Sequence, residues 1–179
     1  MAWRNRPDCF GLISRVLHWG MAGLILSLIA LGLRITWMEP SLANLWLYGL
    51  HKTLGLTALG LVLFRILWHV VSPPPGPLAS GWQRLFIKTW HWTLYALMIA
   101  TPIAGWAGSS ASGIDTLYAG TFVVPPIAAV GETSEFVWFI LHEIFAKTLL
   151  AMIIVHMLAA IRREMGGDGT LTRMLRGRS

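Results

Sequence analysis

Charge is what this chain has least of. Only 12% of its 179 residues are Asp, Glu, Lys or Arg, against 55% hydrophobic, and the mean hydropathy is +0.62. A soluble domain carries about a quarter charged residues, so half that fraction, with ten Trp and seven Phe, points to lipid as the solvent. Cysteine is nearly absent as well. Cys9 stands alone and excludes an internal disulfide. The net charge of +6 is compatible with nucleic acid, but the Lys and Arg residues flank apolar runs and form no aromatic-interleaved patch. A cleavable signal is not evident either. The first apolar run starts near residue 16 and continues for about 20 residues, too long for an h-region, and reads as an uncleaved anchor.

What the chain does have is long apolar windows, near 16–36, 46–71, 85–107 and 135–161. At about 20 residues per spanning helix these predict an all-α integral membrane protein, a bundle of four transmembrane helices. What remains is short loops and tails, so residues 1–179 read as a single membrane domain. Ser72-Pro73-Pro74-Pro75-Gly76-Pro77 is a stiff, non-helical connector between the second and third windows. The longest loop, 108–134, contains Pro125-Pro126.

Lys and Arg set the orientation. Arg4, Arg6 and Arg15 precede the first span, Arg84 and Lys88 lead into the third, and Arg162, Arg163, Arg173, Arg176 and Arg178 follow the fourth. The other two loops hold Glu39, Asp115, Glu132 and Glu135, with no Lys or Arg between Arg34 and Lys52 or between Lys88 and Lys147. By the positive-inside rule both termini are expected in the cytoplasm. Trp19, Trp37, Trp46, Trp68, Trp82 and Trp138, near span ends, fit interfacial belts.

Six histidines, at 18, 51, 69, 91, 142 and 156, all fall within or at the ends of these spans. An ionisable side chain at membrane depth is a functional-site candidate by default, although a single histidine bonded across helices explains itself. Spacing changes the balance. His142 and His156 are fourteen residues apart, which at about 100° per residue falls roughly 40° short of four turns and at 1.5 Å per residue spans about 21 Å. One helix thus presents two imidazoles on one side, one in each leaflet. Depth supplies the partners: His18 lies at the inner level with His156, and His51 at the outer level with His142. Imidazole pairs at matched depth suit six-coordinate haem iron, whereas zinc wants three or four converging ligands. No C-x-x-C-H run exists, so such haems are held without covalent links.

His91 is a rival ligand for the inner haem, and His69 beside Trp68 reads as interfacial. Haem propionates need cationic partners. Arg65, fourteen residues after His51, is placed for the inner haem, with Arg15 one turn before His18 as a helper and Lys52 serving the outer haem. Lys147 is offset by about 140° from His142, so pairing with Glu143 is preferred to a place on the ligand face. Gly20, Gly23, Gly55 and Gly60 would let a flat macrocycle approach the backbone.

The pattern resembles the bacterial cytochrome b561 family almost from end to end. The resemblance is carried by Trp3-Arg4-Asn5 with Leu17-His18-Trp19, by His51-Lys52-Thr53-Leu54-Gly55 followed by Arg65, by His91-Trp92-Thr93-Leu94-Tyr95 with Pro102 and Gly105-Trp106, and by Leu141-His142-Glu143 with His156. It implies two non-covalent b haems with His18, His51, His142 and His156 as axial ligands of iron, in the bacterial inner membrane. It also implies electron exchange with the ubiquinone pool, for which the inner surface near His91 and Arg163 is the candidate, and a periplasmic donor or acceptor. One branch of the family is a superoxide:ubiquinone oxidoreductase, and related families supply cytochrome anchors for dehydrogenases. That oxidase branch carries a His-His pair after the last ligand, where this chain reads Ala160-Ile161-Arg162-Arg163. Its anionic substrate would also meet acidic outer loops here. The expectation is therefore a di-haem electron carrier, with superoxide oxidase and anchor subunit as alternatives.

Overall fold

The computed structural model describes residues 2–177, so Arg178 of the basic tail lies outside the described residues. Four long helices carry the chain: α1 (Leu12–Thr36), α2 (Leu45–Val71), α3 (Gly81–Ala111) and α4 (Glu132–Met165). A short α5 (Thr170–Arg176) closes it. Of these, α1, α2 and α4 are long and apolar enough to cross a membrane. α3, with Gln83, Arg84, Lys88 and His91 in its first half, is long but less apolar. The four expected windows each lie inside one of these helices, and the proline-rich segment after Val71 stays non-helical.

The loop after α3 is more structured than its sequence suggests. β1 (Thr116–Tyr118) pairs antiparallel with β2 (Phe122–Val124), Thr116 opposite Val124 and Tyr118 opposite Phe122. The turn places Ala119 (φ 53°) and Gly120 (φ 72°) in the left-handed region. For an alanine that conformation costs about 1–2 kcal/mol. The hairpin is pinned to α2 in return: the Ala119 amide donates to Thr53 Oγ1 (3.1 Å) and Tyr118 Oη lies 3.3 Å from Thr57 Oγ1.

α1 packs on α2, α2 on α3 and, most closely, α3 on α4. The α3–α4 seam is made of small residues, with Ala104, Ala107, Gly108 and Ala111 all buried. A Cβ on Gly108 would fall 2.9 Å from the Phe139 ring, so only glycine permits this approach. Neither α1 nor α2 packs closely on α4 along the backbone. The apolar core, Met21, Ile25, Val62, Leu94 and Leu149, sits at mid-height between the two ends.

Candidate haem site

The histidines bridge the gaps that the helix backbones leave. His18 on α1 faces His156 on α4 with ring centres 6.4 Å apart, and His51 on α2 faces His142 on α4 at 6.1 Å. Metal–imidazole bonds of about 2.0 Å on each side, with roughly 1.1 Å from nitrogen to ring centre, put two axial imidazoles about 6.2 Å apart. Both pairs have room for one metal between them. The ring planes meet at 61° and 84°, and rotation about the ligand axis does not disturb such bonds. Among the described residues no group of three or more His, Cys, Asp or Glu converges as a metal cluster, so the arrangement is pairwise.

The outer pair is held from behind on both sides. His142 Nδ1 lies 2.8 Å from the Thr101 carbonyl, on the turn that Pro102 loosens. Nδ1–H therefore donates to that oxygen and leaves Nε2 as the free ligand atom, the usual way a metal-binding histidine is oriented. A Cβ on Gly105 would lie 2.9 Å from His142 Nδ1, and one on Gly32 would lie 3.3 Å from His51 Cε1. Each imidazole is thus backed by a glycine and turned toward its partner. His51 Nδ1 is buried without a hydrogen-bond partner. Sequence reasoning did not single out Gly32, and it quoted Gly105 only within the family motif, without a role behind His142. Gly20, Gly23, Gly55 and Gly60 face open space, since a Cβ on any of them would meet nothing within 4 Å.

At the inner pair, His91 on α3 stands edge-on to His156 at 5.3 Å and bonds through Nδ1 to its own helix at the Ile87 carbonyl (2.7 Å). That spacing is about 1 Å shorter than two axial ligands require. Arg65 lies within electrostatic reach of both His18 and His156. Its Nε donates to Tyr95 Oη (2.9 Å), which lies 3.3 Å from His69 Nδ1. His69, expected at the interface, is part of this polar chain in the last turn of α2.

Arg15, Arg163 and Lys147 are engaged elsewhere. Arg15 donates from Nε to the Met174 carbonyl (3.3 Å) and from Nη2 to the Leu175 carbonyl, so it fastens α5. Arg163 pairs with Asp168 (2.7 Å) and reaches the Leu78 carbonyl (2.5 Å). Lys147 pairs with Glu143 one turn earlier, off the ligand face. Lys52 is half-buried on α2, next in sequence to His51.

Long helices, three of them apolar enough to cross a membrane, with two pairs of facing imidazoles spaced to share a metal, define a helical membrane protein of the metal-binding kind. The family model for prokaryotic cytochrome b561 matches residues 10–177. Cytochrome b561 homolog 2 of Escherichia coli strain K12 is 34% identical over 183 residues, covering 98% of this chain and 95% of that protein. The chain belongs to the prokaryotic cytochrome b561 family, and with it to the b-type haem proteins of membrane electron transfer.

Proposed function

We propose that this protein is a di-haem electron carrier of the bacterial inner membrane, with four spans and both termini in the cytoplasm. His18 and His156 hold the inner haem, His51 and His142 the outer one. The observation that carries this reading is the pair of ring separations, 6.4 and 6.1 Å, across the two gaps beside α4. Haems held by these histidines would supply one-electron redox chemistry. The chain's own task is orientation. α4 fixes one imidazole of each pair, the Thr101 carbonyl sets the tautomer of His142, and Arg65 supplies positive charge beside the inner pair. Ubiquinone is the proposed partner at the inner face near His91, the exposed imidazole beside His156. Full reduction of the quinone takes two electrons and two protons, so each quinol formed requires two passages of one electron.

The outer partner is a neutral or cationic donor or acceptor rather than superoxide. Glu132 and Glu135 line a shallow groove with Phe136, Phe139 and Ile140 at the first turns of α4, and their charge repels an anion, whereas Glu143 on the same groove is neutralised by Lys147.

A reduced-minus-oxidised spectrum of the purified protein, with haem quantified per chain, tests the reading. Two b-type haems are expected. His51→Ala or His142→Ala should remove only the outer haem, and His18→Ala or His156→Ala only the inner one. Two haems persisting after any of these changes would overturn the pairing. The reduced protein should be reoxidised by a soluble ubiquinone analogue, and superoxide should not reduce it.

A further inference from the structure

The chain Arg65–Tyr95–His69 has donors at its end and no acceptor to receive them. Arg65 Nε can only donate, so at 2.9 Å Tyr95 Oη accepts. The single O–H of Tyr95 is then directed at His69 Nδ1, 3.3 Å away. That makes Nδ1 the acceptor and fixes the proton on Nε2. His69 Nε2 is buried and meets no partner. A buried N–H without an acceptor is rare and costly in a folded protein. The guanidinium contributes further donors beside it and also lies within reach of His18 and His156.

We propose that His69 Nε2–H, together with the Arg65 guanidinium, binds a propionate carboxylate of the haem held between His18 and His156, with Tyr95 as the positioning residue that sets the histidine's tautomer. The proposal rests on the inner-haem reading above. Its chemistry is a charge-assisted, donor-only cradle, which suits an anionic oxygen better than a neutral carbonyl. Depth agrees. His69 is two residues from the end of α2, and a carboxylate is driven toward the polar end of its slot because charge is costly in hydrocarbon.

The test is a redox titration of both haems in the wild type, His69→Phe and His69→Gln, the inner haem being the one that His18→Ala removes. Losing a donor leaves the propionate charge less compensated, which favours the ferric state. His69→Phe should shift the inner ferric-to-ferrous ratio about tenfold, a fall of about 59 mV for one electron, and leave the outer haem unchanged. His69→Gln, whose amide still donates, should restore most of the potential. If His69→Phe does not accumulate, Tyr95→Phe carries the same test and should move the inner potential in the same direction. Reconstitution with protohaem dimethyl ester, which has no free carboxylate, should erase the difference between wild type and variant. The proposal is overturned if the inner potential stays put, if both haems move together, if the difference survives with the ester, or if it appears only when ubiquinone is present. Absence of an inner haem from the wild-type spectrum overturns the underlying reading, and this proposal with it, before any variant is compared.

Discussion

A methyl group on Gly105 would stand 2.9 Å from Nδ1 and 3.0 Å from Cε1 of His142. The imidazole cannot simply swing away, because Nδ1 is bonded to the Thr101 carbonyl. Gly105→Ala should therefore displace the ring or part α3 from α4, an overpacking penalty of about 1–3 kcal/mol. The expected result is selective loss or broadening of the outer-haem bands, with the inner haem retained. Gly32→Ala presses only on His51 Cε1 at 3.3 Å and should do less. If Gly105→Ala leaves the outer haem's spectrum and potential unchanged, the glycine serves packing alone. The imidazole pairing itself was readable from sequence, because helical rise turns residue number into depth and the alternation of spans then matches depths across the bundle. The glycines behind the imidazoles were not readable. Which glycine faces a ring depends on the rotational setting of α1 and α3, and nearly all-apolar helices encode that setting poorly. The bonds that Arg15 and Arg163 make to the C-terminal segment were not readable either, because they depend on α5 folding back: Arg15 donates to the Met174 carbonyl, and Arg163 to Thr170 and Asp168.

At the scale of elements, α5 has only seven residues and depends on the chain before it. Glu164 accepts from the Leu171 and Thr172 amides at 2.7 and 3.0 Å, satisfying amides that a helix start leaves unpaired. Asp168 accepts from the Thr170 amide (2.9 Å) and pairs with Arg163. Partial burial pushes the Asp168 carboxyl upward, but hydrogen bonds from Thr170 and the Arg163 guanidinium outweigh it and hold it below its ordinary value. A carboxyl depressed in the folded state stabilises it above the unfolded pKa, about 3.9 for Asp, and that contribution fades as pH falls through the lower folded value. Relative to the intrinsic amide rate at each pH, hydrogen exchange of α5 should therefore be slow at neutral pH and quicken below about pH 4. In Asp168→Asn it should be faster at neutrality and less dependent on pH. Glu143 and Lys147 pose a separate question on α4, since both side chains are exposed on a helix long and apolar enough to cross a membrane. Either single replacement by Gln strands the other charge, so each should lower the melting temperature more than the double replacement does. A double variant that is worse than both singles would argue for independent roles. The long helices were legible because hydrophobic runs of this length have few alternatives. The hairpin was not, because its two three-residue strands are defined by what they dock on, Thr53 and Thr57 of α2.

Across the whole molecule, three distant parts of the chain meet at one end. Asn5 binds the first residue of the proline-rich connector twice, its amide to Ser72 Oγ (2.9 Å) and its Nδ2 to the Ser72 carbonyl (2.7 Å). Buried Arg173 of α5 donates to the carbonyls of Asp8 (3.0 Å) and Gly76 (3.3 Å). The N-terminal segment, the α2–α3 connector and the C-terminal helix therefore share a side, while the hairpin, which follows the far end of α3, is fastened to the first half of α2. Hydrogen bonds that join both ends of the chain on one face require an even number of crossings. If α1, α2 and α4 cross, as proposed, α3 must be the fourth crossing despite its polar first half. The lone cysteine makes the point measurable. Cys9 is partly exposed beside Asp8, and Thr121 is exposed at the hairpin turn. A membrane-impermeant maleimide should label Cys9 in inverted vesicles and not in intact spheroplasts. In the Cys9→Ser/Thr121→Cys variant the pattern should reverse. If α3 instead lay along the surface, the hairpin would stay on the side of the connector, and Cys9 and Cys at position 121 would label from the same face. Labelling of Cys9 from outside would invert the orientation. The two reactions together thus decide both the number of crossings and the side on which the proposed quinone site opens.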